Sequence, residues 1–165
     1  MDCDQTRLVC VGNYDASASV SAHTYEQMKS CPNIILAGFH EDIRPLFALM
    51  DVLILPSYRE GFPNVLLQAG AMEKPLIATN VNGSNEIVCP GVNGLIVPPH
   101  DTGSLAQAMQ SMLEMPTMAR AQMGAAGRTH IVQDFEQGFL RASLLDFYEE
   151  ALGAVNSQRA TPKEH

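Results

Sequence analysis

The sequence predicts an α/β fold built on a doubly wound parallel sheet. Short segments rich in Val, Ile and Leu alternate along the chain with segments of helical periodicity, and this alternation is typical of strand–helix–strand units. The strand segments are almost continuously apolar, as strands are when helices cover both faces of a sheet. We therefore expect parallel strands connected by helices, followed by a helical C-terminal third.

The apolar segments and the helical periodicity give the elements in order. The expected strands are Arg7–Gly12, Asn33–Phe39, Asp51–Pro56, Pro75–Asn80 and Gly94–Pro98. The expected helices are Val20–Ser30, Asp42–Met50, Pro63–Glu73, a helix capped by Asp101, Met118–Gln133 and Phe135–Leu152. Pro63 suits the first position of its helix. We expect one domain over residues 1–152 and a polar tail over residues 153–165.

The composition limits the kinds of partner that the chain can take. Eighteen acidic residues outnumber ten basic ones, which gives a formal net charge of −8. Because Lys and Arg form no cluster, neither nucleic acid nor an anionic membrane is expected as the main partner. A single anionic ligand remains compatible with this charge, since backbone N–H groups can hold it.

The cysteines indicate reduced thiols. Cys3, Cys10, Cys31 and Cys89 show no C-x-x-C spacing, so neither a disulfide framework nor a zinc site is expected. The first residues are acidic and lack the apolar stretch of a signal peptide, and the longest apolar runs are too short to span a bilayer. We expect a cytoplasmic protein, or one placed peripherally at the inner face of a membrane.

The loop after the third strand carries the first group of candidate ligand-binding residues. Ligands of open α/β sheets bind outside the carboxyl ends of the strands. Here the helix after "SYREGFPNV" offers its first free N–H groups at Asn64 and Val65, an arrangement suited to an anion. Glu60 before this helix is suited to accept hydrogen bonds from hydroxyl groups. The Gln68 amide, on the helix face of Asn64, could grip vicinal hydroxyls.

The loop after the fourth strand carries the second group. "NVNGSNEI" combines Asn82 and Gly83 with small polar residues, which allows the backbone to approach a ligand closely. Together the two loops favour a nucleotide or a nucleotide sugar. Simpler interpretations stay open: Glu60 as a helix-entry acid, Gln68 as an exposed helix residue, Asn82–Gly83 as an ordinary turn, and His40 as a cap or a solvated side chain.

Residues 36–101 resemble the C-terminal, donor-binding domain of the GT-B glycosyltransferases of group 1, the GT4-like family. The motifs that carry the resemblance follow one another in the family order: a strand with Pro-Ser, the helix start E-G-F-P-N-V, then P-x-I-A-T and N-G-L-I-V-P. The match covers most of the segment from Asn33 to Asp101, and the helices to about Leu152 suit it. The resemblance implies a Rossmann-like, nucleotide-sugar-binding domain.

The resemblance also implies roles for matched positions. Glu60 matches the first acid of the family's E-x7-E motif, which touches the donor sugar and is the candidate catalytic residue. Position 68 matches the second acid, which holds the ribose hydroxyls. The other implied contacts are to the diphosphate, from the backbone around Gly61, Phe62, Asn64 and Val65, and to the base, from the backbone near Phe39 and His40. No metal or cofactor is implied, because the donor, such as a UDP- or GDP-sugar, is itself the substrate.

Two departures from the family pattern stand out. Position 68 is Gln and not Glu, which removes the charge from the hydrogen bonds to the ribose. The family's first strand and helix, with an Arg-x4-Lys pair, have no counterpart here. In the family strand order 3-2-1-4-5-6 that strand lies in mid-sheet. We therefore expect either self-association through this region, or a sheet closed with Arg7–Gly12 beside Asp51–Pro56.

For the parent enzyme, the resemblance implies retaining transfer of a hexosyl-type group from a nucleotide sugar. The acceptor would be a surface polysaccharide or a lipid-linked glycan, bound by an N-terminal domain that these residues do not supply. The chain alone is then expected to be inactive. A non-catalytic nucleotide-sugar-binding module, or one subunit of a split enzyme with a partner chain, remains the alternative. A dinucleotide oxidoreductase is disfavoured because no G-x-G-x-x-G follows the first strand.

Overall fold

The computed structural model describes residues 6–14 and 20–159, and the chain divides into two units, of which the first ends at Pro45 and the second begins at Leu46. The strands are β1 (Leu8–Val11), β2 (Ile34–Gly38), β3 (Leu53–Leu55), β4 (Leu76–Thr79) and β5 (Gly94–Val97). The helices are α1 (Ala22–Ser30), α2 (Arg44–Leu49), α3 (Asn64–Ala71), α4 (Ser84–Ile87), α5 (Thr102–Glu114), α6 (Thr117–Asp134) and α7 (Gln137–Arg159).

All five expected strands and all six expected helices are present, and α4 is an additional short helix in the loop after β4. The largest difference in a boundary is at the last helix. The last helix ends at Arg159 and not near Leu152, so the start of the expected polar tail is helical. A single glycine costs a helix about 1 kcal/mol, and Gly153 therefore does not end a helix of 23 residues. Residues 160–165 lie outside the described residues.

The first unit holds a two-stranded parallel sheet. In it β1 pairs with β2, with Leu8 opposite Ile34 and Val9 opposite Ile35, and α1 contacts β2. Ser21 caps α1 by accepting a hydrogen bond of 3.0 Å from the Thr24 amide. The side chains of β1 alternate between half-buried and exposed.

The second unit holds a three-stranded parallel sheet with β4 in the middle, in the order β3-β4-β5. Every residue of β4 is buried. Ile77 packs on one face in a cluster with Val97, Ala108, Met112 and Met123, which brings α5 and α6 to that face. Leu76 points to the opposite face, because neighbouring strand residues alternate, and it lies close to α3 at Gly70. This sheet is covered on both faces, as the apolar strands indicated.

The α/β class is therefore confirmed, with two parallel strands paired in the first unit and three in the second. The expected closure of the sheet, with the first strand beside the third, stays a prediction, because those two strands belong to different units. Within each unit, parallel neighbours are connected by a helical crossover: α1 connects β1 to β2, and α3 connects β3 to β4. Self-association through this region stays a prediction, which sedimentation velocity can test.

Two further observations concern the cysteines and the helices. Cys10, Cys31 and Cys89 are free thiols, while Cys3 lies outside the described residues. In the part of the chain that the structure describes, no helix is both long enough and apolar enough to cross a membrane.

Candidate functional site

The carboxyl ends of the three strands in the second unit meet through specific contacts. Thr79, the last residue of β4, donates a side-chain hydrogen bond to the carbonyl of Ser57, which follows β3. Tyr58 stacks on His100 from the segment after β5, with ring centroids 4.0 Å apart and an interplanar angle of 17°. The loops that the sequence singled out for ligand binding therefore lie at one edge of the sheet, where open α/β sheets bind ligands.

Glu60 is held by a neighbouring hydroxyl. The Ser57 hydroxyl donates a hydrogen bond of 2.5 Å to the Glu60 carboxylate, and the Glu60 side chain is half-buried. The carboxylate precedes α3 by four residues in the chain, yet within the described residues its hydrogen bond comes from Ser57 and not from the first amides of the helix. This geometry favours an oriented carboxylate over a simple helix cap.

The start of α3 leaves two amides available. Pro63 is the N-cap, and not the first helical residue as the sequence indicated, so α3 begins at Asn64. The first helical bond runs from the Leu66 amide to the Pro63 carbonyl at 3.0 Å, so the amides of Asn64 and Val65 precede it. Asn64 is exposed and Val65 is half-buried. An anion placed at this end would also meet the positive end of the helix dipole.

The two predicted loops are in direct contact at Gly83. Gly83 is buried and has a φ of +76°, and a Cβ atom built there would lie 2.6 Å from the Gly61 carbonyl oxygen and 3.0 Å from Phe62 Cα. Only glycine combines this backbone conformation with so close an approach. Asn82, the preceding residue, is exposed. The structure therefore brings together Gly61, Phe62 and Gly83, which the sequence had placed in separate loops.

Gln68 lies on α3, four residues after Asn64, and both side chains are exposed. The shared helix face that the sequence indicated is thus present. The amide of Gln68 is free to turn toward a ligand or toward solvent, so the geometry keeps both interpretations of this residue open.

Phe39 and His40 belong to the first unit, directly after β2. The Phe39 side chain is 71% exposed, and His40 Nε2 lies 3.1 Å from the Ala37 carbonyl oxygen. A cavity of about 270 Å³ opens in the same unit at the carboxyl ends of β1 and β2, with Gly12 and Gly38 among its lining residues. The His40 ring therefore contacts the backbone of β2, and its role toward a nucleotide base stays a prediction.

Sequence reasoning missed several residues of this site. Ser57 and Thr79 orient the loop that carries Glu60, and Ser84 is fully buried with no hydrogen-bond partner for its hydroxyl among the described residues. Their positions in the chain could have indicated them, because each of these residues ends or follows a strand of the sheet. Among residues 6–14 and 20–159, no three His, Cys, Asp or Glu side chains gather as metal ligands would.

The chain resembles known proteins over most of its length. The family model for glycosyl transferases of group 1 matches residues 2–115. The capsular polysaccharide biosynthesis glycosyltransferase CapM of Staphylococcus aureus is 28% identical over 146 residues, which are 88% of this chain and 38% of CapM. A D-inositol 3-phosphate glycosyltransferase of Saccharomonospora viridis is 35% identical over 69% of this chain and 26% of its own length.

Solved structures share the fold. Sucrose-phosphate synthase of Thermosynechococcus elongatus superposes with a TM-score of 0.75 and 26% identity, covering 90% of this chain and 39% of the synthase. The Anabaena protein HepE, crystallised with UDP, gives a TM-score of 0.77 at 21% identity, covering 89% of this chain and 42% of HepE. The chain thus spans about two fifths of the length of CapM and of both solved structures.

The family model covers more than half of the chain, and the relatives and solved structures agree with it in both sequence and fold. The chain belongs to the group 1 family of glycosyl transferases, with the α/β fold of the GT-B enzymes.

Proposed function

We propose that the chain is the donor-binding part of a retaining, GT4-like glycosyltransferase that transfers a hexosyl-type group from a nucleotide sugar to a surface-polysaccharide or lipid-linked acceptor. The observation that carries this proposal is the Glu60 carboxylate, oriented by Ser57 at 2.5 Å and placed just before the start of α3. A fixed carboxylate at the carboxyl edge of a parallel sheet offers strong acceptors to sugar hydroxyls.

The donor would be bound along the start of α3. The diphosphate lies near the amides of Gly61, Phe62, Asn64 and Val65, where the helix dipole and free N–H groups favour negative charge. The Gln68 side chain contacts the ribose. The backbone of Asn82 and Gly83 lies beside the ribose. The segment of Phe39 and His40 lies in the first unit. Its contact to the base stays an expectation of the family resemblance and carries no part of this proposal.

The relatives support this class of substrate. CapM is named for capsular polysaccharide biosynthesis, and HepE has been crystallised with UDP and with UDP-glucose. These ligands and roles belong to those proteins. They support a nucleotide-sugar donor here because the chain is similar to CapM in sequence and to HepE in fold.

In the transfer, the bond between the anomeric carbon and the diphosphate oxygen breaks, and the acceptor oxygen bonds to the same carbon on the same face of the sugar. The nucleoside diphosphate leaves, and the acceptor proton passes to the departing group or to solvent. Catalysis is then positioning and stabilisation of the developing negative charge, and we propose no metal for it.

A second candidate is a non-catalytic nucleotide-sugar-binding module, or one subunit of a split enzyme. The residue that favours it is Gln68, which stands where the family's second acid would. A fusion of this chain to the part of CapM that it does not cover separates the two candidates. Release of nucleoside diphosphate by the fusion supports the enzyme, whereas release only after Gln68→Glu supports the module.

Calorimetry on the chain itself tests ligand class. UDP, GDP, UDP-glucose, UDP-GlcNAc and NAD are titrated under the same conditions. We expect at least one nucleoside diphosphate and its sugar to bind more tightly than NAD. A clear preference for NAD would overturn the glycosyltransferase assignment of the site.

A further inference from the structure

A cysteine, a histidine and an aspartate lie in contact, one after another, elsewhere in the second unit. Cys89 Sγ lies 3.7 Å from His130 Nε2. On the other side of the ring, His130 Nδ1 lies 2.7 Å from Asp134 Oδ2. None of these three side chains belongs to the site described above.

The fold sets all three positions. His130 and Asp134 are one turn apart on α6, so they share a helix face. Cys89 follows α4, and its amide donates a hydrogen bond of 2.7 Å to the side chain of Asn93. Asn93 is fully buried, and its side chain donates a hydrogen bond of 2.9 Å to the Ile87 carbonyl. A buried amide therefore fixes the backbone of Cys89 opposite the imidazole.

The imidazole is oriented by its neighbours. Phe135 packs edge-on against the ring of His130 at a centroid distance of 5.4 Å, and the His130 side chain is 22% exposed. A carboxylate on Nδ1 favours a proton on Nδ1. Nε2 faces two groups, the Cys89 sulfur at 3.7 Å and the Glu86 carbonyl oxygen at 3.4 Å, and the carbonyl can accept a hydrogen bond from Nε2 once Nε2 has taken a proton. The thiol, imidazole and carboxylate stand in the order of nucleophile, base and orienting acid found where a side chain is activated for attack.

We propose that Cys89 is a modification site, a thiol activated by His130 and Asp134 that reacts with hydroperoxides to give a sulfenic acid. His130 Nε2 takes the thiol proton, and the resulting imidazolium is stabilised by Asp134. The thiolate sulfur bonds to one peroxide oxygen and the O–O bond breaks. The leaving oxygen takes the proton from His130, so that the thiol and ROOH become the sulfenic acid and ROH.

The partial burial of Cys89 favours its reaction with a small electrophile. Cys89 is half-buried, which admits a hydroperoxide more readily than a bulky partner. Thiolate character and access together decide which thiols are oxidised. Cys10 provides a contrast within the same chain, because burial raises the pKa of its thiol.

Peptide-resolved mass spectrometry on the full chain tests the proposal. The rate of iodoacetamide alkylation is measured for each cysteine at pH 7, and sulfenic acid formed with hydrogen peroxide is trapped with dimedone. We expect Cys89 to react about tenfold faster than Cys10 and to be the main dimedone-labelled residue. Cys89→Ser should abolish that label.

Two variants test the activating residues. H130Q should lower the Cys89 rate about tenfold, and D134N severalfold. The matched controls are H23Q and D146N, which change exposed residues on α1 and α7 and should leave the rate unchanged. Each rate is expressed relative to Cys10, which lies in the first unit, and urea unfolding of each variant checks that the second unit stays folded. A Cys89 rate no higher than that of Cys10, or one unchanged by both H130Q and D134N, would overturn the proposal.

Discussion

The Ser57 hydroxyl donates a hydrogen bond of 2.5 Å to the Glu60 carboxylate. The carbonyl of Ser57 in turn accepts a hydrogen bond from the Thr79 side chain at the end of β4. Glu60 is therefore oriented by two strand ends of the sheet, and its direction does not depend on α3. This relationship makes the role of Glu60 testable apart from helix stability.

Glu60→Ala should weaken binding of a nucleotide sugar more than binding of the bare nucleoside diphosphate. The variant removes hydrogen bonds to sugar hydroxyls, and hydrogen bonds to a charged group contribute about 1.5–3 kcal/mol. Calorimetry with UDP and UDP-glucose measures the difference. Glu149→Ala, at an exposed position of α7, is the control. Equal losses for both ligands would reassign Glu60 to the structure of the helix entry.

Ser57→Ala should reduce sugar binding by about 1 kcal/mol, because the Glu60 carboxylate loses the donor that orients it. The effects of Ser57→Ala and Glu60→Ala should not add, since both act on one interaction. A double-mutant cycle on UDP-glucose affinity measures the coupling. Ser111→Ala is the control, because that hydroxyl bonds to the backbone of its own helix at the Gln107 carbonyl. Additive losses would contradict the positioning role of Ser57.

Gly83→Ala should destabilise the second unit by about 2 kcal/mol or more. The added methyl combines a left-handed backbone, which costs about 1–2 kcal/mol, with a clash against Gly61 at 2.6 Å. Unfolding in urea measures the loss.

Gly91→Ala is the matched control for this prediction. Gly91 has nearly the same φ, +77°, but a Cβ there meets no heavy atom within 4 Å. The free energy of unfolding of Gly91→Ala should therefore fall only by the cost of the left-handed backbone. Equal losses of unfolding free energy in the two variants would show that the loops can separate without cost.

Gln68→Glu should preserve or tighten UDP binding. A carboxylate accepts charge-assisted hydrogen bonds from ribose hydroxyls, and these are roughly twice as strong as neutral ones. Calorimetry with UDP compares this variant with Gln133→Glu, which makes the same charge change at an exposed position of α6. A large loss of affinity confined to Gln68→Glu would mean that the pocket is adapted to the neutral amide.

Asp101 should make folding sensitive to acid. Hydrogen bonds from the Ser104 hydroxyl and amide hold the pKa of Asp101 below its ordinary value of 3.8. A lowered folded-state pKa means that the stabilisation is present above pH 3.8 and is lost as the pH falls through the folded-state value. Thermal melts from neutral pH down to about pH 2.5 should show a smaller acid-dependent fall for Asp101→Asn. Parallel curves for wild type and variant would contradict this assignment.

The elements of this fold were predictable because each depends on local patterns. Continuous apolar segments indicated the strands, and Asp101 caps its helix as its position indicated. The short helix α4 was not predicted, since four residues carry too little periodicity. The strand order β3-β4-β5 was not predicted either, because pairing depends on contacts between segments that are distant in the chain.

The residues of the candidate site that directly follow strand ends were predictable from their positions in the chain. Glu60, Asn64 and Gly83 follow strand ends, and the rule for open α/β sheets found them. Contacts between distant side chains were beyond sequence reasoning. Cys89 and His130 are separated by 41 positions, and the local sequence around either residue does not predict their contact.

Phe62 and Phe135 connect the loop before α3 to the end of α6. Their ring centroids are 5.8 Å apart, and Phe135 is the C-cap residue of that helix. Thermodynamic linkage makes such a contact reciprocal. A ligand that orders the loop of Phe62 through this contact would also stabilise the junction of α6 and α7. A partner that binds at this junction would then raise the affinity for the ligand by the same coupling free energy.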